Sequence, residues 1–403
     1  MKRIALVALL TAALFLAACD DEKSPFSEGH PNPLPPAEPS LSAPVQVVPS
    51  AGLPPEIVDQ QTNNNLDIAE HEGRTFLAFR TAPNHFASAQ AALYVVSSAD
   101  EATWDFETEI AQGTDLREPR LLAWNGRLFL YYSVLGSNPL AFEPKGIMVA
   151  EYLAPGRWTP PISLYVPGFL AWRTKVIGGA PYMLGYLGGA GEYDFQGNPI
   201  EVHWLTTGDG YHWGPVIPLQ PVVLTGGTSE ADFVFQDDGS LVAVARNESG
   251  DKTGFGSKVC RAPADDLGNW ECAEDPRKYD SPLLFRSGQA IYLLGRRNLT
   301  ATGDFDLGWD DFSAKVQLLL YDLIYWFEPK RCSLWRVDPD ALSVSFVLDL
   351  PSRGDTCYAG LIDRGGGAFD VYNYTSPLDG PDVAWLTGQK GPTSIVRQTL
   401  TLP

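Results

Sequence analysis

The sequence predicts an all-β protein, a six-bladed β-propeller of four-stranded antiparallel blades. Short runs rich in β-branched and aromatic residues, such as 74–80 and 127–134, alternate with turns that contain Gly, Asn or Asp. A long amphipathic helical pattern is absent, and a unit of two such strands recurs about every fifty residues. A closed ring of blades fits this pattern, because radial repetition leaves few exposed sheet edges.

Each repeat opens with a polar residue before a short strand, passes through a turn and ends a second strand at Arg or Tyr. The six units begin near Asp67, Glu118, Arg173, Glu230, Ser281 and Tyr358. Their second strands end near Arg80, Tyr131, Tyr186, Arg246, Arg296 and Tyr372. The last interval is longer than the others and predicts an insertion around 299–330, in which residues 313–326 are compatible with a helix or a long strand.

Composition excludes two classes of protein. The formal net charge is -20 with only 29 Lys and Arg, so nucleic acid is not an expected partner. High contents of Gly, Pro and Trp with only 19% charged residues argue against a helical bundle. No phosphate loop, serine nucleophile elbow or metal-binding His pair is found in the sequence, and we expect no cofactor, no metal and a monomer.

The N-terminus carries a targeting pattern. Lys2 and Arg3 precede an apolar run, and Leu16–Cys19 resembles a bacterial lipobox, which implies a signal peptide over 1–18 and lipid attachment at Cys19. The alternative is an ordinary secretory signal. Residues 19–58 are rich in proline and predict an extended tether, followed by the propeller over 59–403. We therefore expect a lipid-anchored protein of the bacterial cell envelope, with the membrane as a partner through the anchor.

Four further cysteines predict two disulfides, since their number is even in an exported chain. Three pairings are possible, and we favour Cys260 with Cys272 and Cys332 with Cys357, which are nearest in sequence. A zinc site is the weaker alternative, because the spacings match no usual metal pattern.

Two segments between third and fourth strands share a Ser/Thr-x-Asp-x-x-x-Trp pattern, namely Ser98–Trp104 and Thr207–Trp213. Both resemble the Asp-box of sialidases and related propellers. We expect Asp100 and Asp209 to hold tight turns through backbone N–H groups, and the two tryptophans to pack between adjacent blades.

The repeat register predicts a polar pocket at one rim of the central channel, where first strands begin and second strands end. Arginine is suited to carboxylates and aromatic rings to sugar faces, so we expect an acidic glycan or another small anion as ligand. The alternative is a structural network of arginines with neighbouring carboxylates. The predicted ligand-binding residues are Arg80, Arg117, Arg173, Arg246, Arg296, Arg297 and Tyr372.

Over about residues 60–403 the chain resembles sialidases. The segments 229–246 and 355–361 are similar to the sialidase segments that hold a Glu, a triad Arg and the nucleophilic Tyr. The resemblance implies that Tyr358 is the nucleophile and Glu230 its base, and that Arg246 with Arg296 or Arg297 holds a substrate carboxylate.

The sequence departs from that family at two places. Residues 63–68 replace its Arg-Ile-Pro motif, and the loop 81–90 lacks its acid/base Asp, which leaves His85 as a candidate general acid. We therefore consider two functions, a retaining sialidase-like glycosidase and a non-catalytic binding or scaffold lipoprotein. A third possibility is a glycosidase of another class that uses the inward carboxylates of Asp67, Glu118 and Glu230.

Overall fold

The computed structural model describes residues 38–188 and 199–403, whose strands form six antiparallel sheets of four or five strands. The predicted six-bladed β-propeller is confirmed. The first blade contains β3 (Thr62–His71), β4 (Arg74–Ala82), β5 (Ala92–Ser98) and β6 (Asp105–Ile110). The second blade contains β7 (Asp115–Trp124), β8 (Arg127–Leu135), β9 (Pro144–Ala154), β10 (Arg157–Trp158) and β11 (Ile162–Leu164). The third blade contains β12 (Leu170–Ile177), β13 (Ala180–Leu187), β14 (Ile200–Thr207), β15 (Trp213–Pro215) and β16 (Val222–Gly226).

The remaining blades follow the same order, and all six repeats begin and end close to the predicted positions. The fourth blade contains β17 (Ala231–Phe235), β18 (Leu241–Asp251), β19 (Gly254–Ala262) and β20 (Glu271–Asp275). The fifth blade contains β21 (Leu283–Ser287), β22 (Ala290–Asn298), β23 (Lys330–Asp338) and β24 (Ser343–Asp349). The sixth blade contains β25 (Gly360–Gly365), β26 (Ala368–Thr375) and β27 (Ser394–Thr401) together with β1 (Ser40–Leu41) and β2 (Val45–Val48).

The sixth blade is completed by the N-terminal strands, which corrects the predicted tether. Both β1 and β2 pair antiparallel with β27, so residues 40–48 belong to the propeller although we assigned 19–58 to a tether. The physical reason is that β27 would otherwise expose an unpaired edge. Within the described part of the chain no helix is long and apolar enough to cross a membrane. The predicted signal peptide and Cys19 lie outside the described residues.

The predicted insertion contains a helix, α1 (Ala314–Phe327), between β22 and β23. Its buried residues include Leu318, Tyr321 and Tyr325, whose spacing places them on one face. A short helix, α2 (Trp385–Lys390), lies between β26 and β27, and its Trp385 ring meets the Tyr325 ring at 5.5 Å.

The Asp-box turns have the expected structural role. Oδ1 of Asp209 accepts hydrogen bonds from the backbone N–H of Tyr211 at 2.8 Å and of His212 at 2.7 Å, and Asp100 holds its own turn in the same way. Trp213 packs with residues of the second and third blades, and Trp104 with residues of the first and sixth. These residues therefore join neighbouring blades.

Both predicted disulfides are present. Cys260–Cys272 links the paired strands β19 and β20, and Cys332–Cys357 links β23 to the residues that precede β25. The second bond therefore connects the fifth and sixth blades.

Candidate functional site at the rim of the channel

The first strand of each blade lies at one edge of its sheet and next to first strands of neighbouring blades. The start of each first strand pairs with the end of the second, as in the Asn64–Arg80 pair of the first blade. At this end the backbone is left-handed at Asn65, Glu118 and Ser281, with φ of 39°, 44° and 55°. The pairing of the first and second strands shifts register beside Asn65 and Glu118, which changes the direction of the side chains at the rim.

His85, the candidate acid, is held by the sixth blade. Its Nδ1 lies 2.7 Å from Oδ2 of Asp355, and its backbone N–H donates to the carbonyl of Gln389 at 3.0 Å. The His85 side chain remains 14% exposed, whereas Asp355 is fully buried. Burial lowers the pKa of His85 and outweighs the opposing Asp355 carboxylate, so the neutral imidazole is favoured at neutral pH.

Asp115 binds two of the predicted ligand-binding arginines. Arg80 donates to its Oδ1 at 2.7 Å, and the guanidinium of Arg117 bonds to its Oδ2. Although burial alone would raise the pKa of Asp115, the two arginines hold it below the ordinary value. Arg80, which we predicted to bind ligand, has no exposed surface and also donates to the carbonyl of Phe86, so its guanidinium is held by contacts inside the protein.

Arg117 has a different position from Arg80. Its side chain is 15% exposed, and Nη2 donates to the carbonyl of His85 at 2.6 Å. Arg117 therefore lies beside the imidazole of His85 and borders solvent.

A second group of charges comes from the fourth and fifth blades. Nη1 of Arg246 lies 2.9 Å from both Glu230 Oε1 and Glu248 Oε2, and 3.7 Å from Asp280 Oδ1. Burial raises the pKa of Glu230 to about 7 against the attraction of Arg246. Arg296 donates to the other oxygen of Asp280 at 2.7 Å, so Asp280 connects two predicted ligand-binding arginines.

Aromatic residues join the two groups. The Arg296 guanidinium lies 4.7 Å from the ring centroid of Trp385, whose Nε1 donates to Asp355 at 3.2 Å. The Tyr325 hydroxyl donates to Asp280 at 2.7 Å. Sequence reasoning missed Tyr325 and Trp385 as site residues, because both belong to helices between strands and the repeat register does not extend to them.

The structure does not form the predicted pair of Tyr358 and Glu230. Within the described residues the buried Tyr358 hydroxyl has no hydrogen-bond partner, while the second oxygen of Glu230 accepts from the backbone of Ser281 at 2.6 Å. The Tyr358 ring lies 4.4 Å from the Arg120 guanidinium and 5.4 Å from the Trp172 ring. Burial raises the pKa of Tyr358 well above that of an ordinary tyrosine.

Three further predicted rim residues make contacts away from this group. Arg297 pairs with Asp349 of β24, at 2.9 Å and 2.5 Å, because its side chain points along the sheet toward the outer strand. The Tyr372 hydroxyl donates to Glu101 of the first Asp-box at 2.8 Å and lies between blades. Arg173 donates to the carbonyl of Pro282 at 2.8 Å deeper in the channel.

Two of the three carboxylates of the third possibility, Asp67 and Glu118, are also buried. Asp67 accepts from the backbone of Leu121 at 2.8 Å, and burial raises the pKa of both groups. Among residues 38–188 and 199–403, no group of three or more His, Cys, Asp or Glu is arranged to hold a metal ion.

The fold is a six-bladed propeller of the sialidase type. The chain is similar in structure to a protein of unknown function from Dyadobacter fermentans, with a TM-score of 0.58 and 15% identity over 85% of this chain and 95% of that chain. It is similar to the endosialidase of phage phi92, with a TM-score of 0.57 and 12% identity over 86% and 68% of the two chains.

Trypanosoma rangeli sialidase is a third similar structure, with a TM-score of 0.53 and 14% identity over 84% of this chain. The present chain spans about half, 54%, of that sialidase. No protein-family model and no curated protein matches the sequence significantly. The comparisons therefore establish the shared fold.

Proposed function

We propose that the protein binds a glycan with an acidic sugar at the rim of the channel, without cleavage by a tyrosine nucleophile. The observation that carries this proposal is the contact of Arg296 with Trp385, whose indole in turn donates to the Asp355 that holds His85. A guanidinium, an aromatic ring and an imidazole are thus contiguous at one rim. These groups recognise carboxylates and the faces of sugar rings.

The choice of an acidic sugar is supported by a similar protein. Trypanosoma rangeli sialidase has a structure in complex with sialic acid. In the present chain, each rim arginine already has a protein carboxylate, as Arg117 has Asp115 and Arg296 has Asp280. A ligand carboxylate would therefore share these guanidinium groups, which favours moderate and reversible binding.

The proposal of binding without cleavage depends on Tyr358. A phenol attacks near neutral pH only when a neighbouring base removes its proton. The Tyr358 hydroxyl has no hydrogen-bonded base among the described residues: Glu118 and Asp67 interact with it electrostatically but without a hydrogen bond, and Glu230 is bonded to Arg246 and Ser281 instead.

The test is a panel of sialylated, uronic-acid and neutral glycans of matched length, offered to the full chain and scored for binding and for product release. We expect binding of acidic glycans without release. Arg117→Gln should weaken binding about tenfold, as expected for loss of a charge-assisted hydrogen bond. The matched control is Arg297→Gln, which removes an arginine outside the rim and should leave affinity unchanged. Equal binding of neutral and acidic glycans would contradict the proposal.

A second candidate function is favoured by the His85–Asp355 contact. A carboxylate at 2.7 Å orients the imidazole, as a general acid requires. Because burial lowers the pKa of His85, the acid form appears only below the ordinary value of 6.5. Glycosidic cleavage by His85 would therefore increase as the pH falls below 6.5, and His85→Gln would reduce it about 10²–10⁴-fold. Absence of product at pH 5 from every glycan of the panel would reject this function.

We place the binding module at the bacterial cell envelope, anchored by lipid on Cys19. The support is the lipobox-like segment Leu16–Cys19. Metabolic labelling with a radioactive fatty acid in a bacterial host should mark the wild-type chain but not Cys19→Ser. Label on both chains, or on neither, would contradict the anchor.

A further inference from the structure

The inner strands enclose a cavity of about 520 Å³. Every blade contributes an apolar residue to its wall: Ile68, Leu121, Val176, Val234, Leu283 and Leu361. Val176 and Val234 lie near the far ends of β12 and β17, whereas the rim residues lie at the starts of the first strands. The cavity is therefore a feature of the channel separate from the rim site, and its volume is typical of small-molecule pockets.

Charged side chains also line this cavity. Arg173, Lys175 and Asp67 belong to its wall. Lys175 Nζ lies 2.7 Å from Asp232 Oδ1, and Arg173 Nε lies 3.8 Å from Asp232 Oδ2. The Asp232 carboxylate therefore pairs with both cations. The cavity thus combines apolar walls with a cationic region.

Arg120 adds a further positive charge beside this region. Its guanidinium is fully buried, and Nη1 lies 3.9 Å from Asp67 Oδ1. Arg120, Arg173 and Lys175 face Asp67 and Asp232, and Glu118 also interacts electrostatically with Arg120, so carboxylates balance the cations of this group.

Several donors in the group are unsatisfied. In the part of the chain that the structure describes, all three guanidinium nitrogens of Arg120 and Nε of Arg173 are buried without a hydrogen-bond partner. Buried charged donors are normally paired, because an unpaired one loses its hydration without compensation. An anion entering the cavity toward Arg173 would meet guanidinium donors without acceptors.

We propose that this cavity binds an amphiphilic monocarboxylate, with the carboxylate directed at Arg173 and Arg120 and a tail of about six to eight carbons along the apolar wall. The site goes beyond the proposed glycan binding and is independent of it, because the two sites lie at different levels of the channel and share no residue.

The probe is octanoate, titrated by calorimetry into the full chain in detergent-free buffer. We expect saturable binding of one octanoate, and binding of 1-octanol and octylamine at least about tenfold weaker, because neither offers a carboxylate. Arg173→Met should abolish the preference for octanoate over 1-octanol. Octanoate that fails to saturate the wild-type chain, or that binds no better than 1-octanol, overturns the proposal.

A second variant keeps the test valid if Arg173→Met does not fold. Val176 is 40% exposed, so Val176→Trp should be tolerated and fill the cavity. We expect it to weaken octanoate binding about tenfold or more, whereas Val58→Trp, the same change at an exposed valine outside the cavity wall, should have no effect. Unchanged octanoate binding by Val176→Trp overturns the location. The near-ultraviolet circular dichroism spectrum of each variant, compared with that of the wild type, serves as the readout of intact folding.

Discussion

Oδ2 of Asp355 lies 2.7 Å from Nδ1 of His85, although the two residues are 270 positions apart in the chain. The contact joins the segment before β25 to the loop after β4, and thus the last blade to the first. Asp355 also accepts from Trp385 at 3.2 Å, and this indole packs against Arg296. One buried carboxylate therefore orients the candidate acid and an aromatic wall of the rim.

Replacing Asp355 by Asn should lower the pKa of His85 further. The carboxylate favours the imidazolium and opposes burial, so its removal leaves burial unopposed. An NMR titration of the His85 ring would measure this change. Asp349→Asn, which removes a carboxylate paired with Arg297 on an outer strand, is the matched control. A His85 pKa equal to that of the wild type in Asp355→Asn would refute the coupling.

Glu230 should make the wild type less stable as the pH rises. Its pKa is about 7 in the folded chain against an ordinary value of 4.5, so the folded state binds the proton more tightly between these values. The resulting stabilisation is present below pH 4.5 and is lost on rising through pH 7, by roughly 1–3 kcal/mol.

Urea unfolding of wild type and Glu230→Gln between pH 4.5 and 7.5 checks this expectation. The wild type should lose free energy of unfolding relative to the variant as the pH rises. Glu248→Gln is the control, because the pKa of Glu248 is lowered and its contribution does not fall over this range. A constant difference between wild type and Glu230→Gln would show that Glu230 does not titrate there.

Arg80→Met should destabilise the fold strongly, by about 3–5 kcal/mol, because it removes a fully buried partner of Asp115. Arg297→Met should cost about 0–1 kcal/mol, since the pair with Asp349 is partly exposed. Guanidinium unfolding curves of the two variants measure both values. Equal losses in free energy of unfolding would mean that burial does not determine how much each arginine contributes to stability.

A chain beginning at residue 51 should fold poorly, whereas a chain beginning at residue 38 should retain the thermal stability of the full chain. The shorter chain lacks β1 and β2 and the buried side chains of Val47 and Val48, each worth about 1.5–3 kcal/mol. It also exposes β27 as a free edge. Circular dichroism melting curves provide the measurement, and equal melting temperatures for the two truncated chains would contradict this role of the N-terminal strands.

The sequence analysis named many residues of the site, but their contacts with one another could not be predicted from the sequence. Arg246 lies next to Glu230, and Arg296 pairs with Asp280, which also lies near Arg246. The repeat register could not show that Arg120 and Trp172 surround Tyr358, since this packing joins residues from three blades. Nor could it show that Tyr325 of the inserted helix would bond to Asp280, because the insertion has no counterpart in the other repeats.

The sequence by itself indicated the number of blades, the register of their first two strands, the Asp-box turns and a favoured pairing of the four cysteines. These features repeat locally or join residues close in the chain, such as Cys260 and Cys272, so their pattern is visible without three-dimensional information. Tertiary structure alone decided which carboxylate meets which arginine, that the Tyr358 hydroxyl has no hydrogen-bond partner among the described residues, and that residues 40–48 complete the sixth blade. The physical reason is that these contacts join distant segments, whose relative positions arise only when the blades close into a ring.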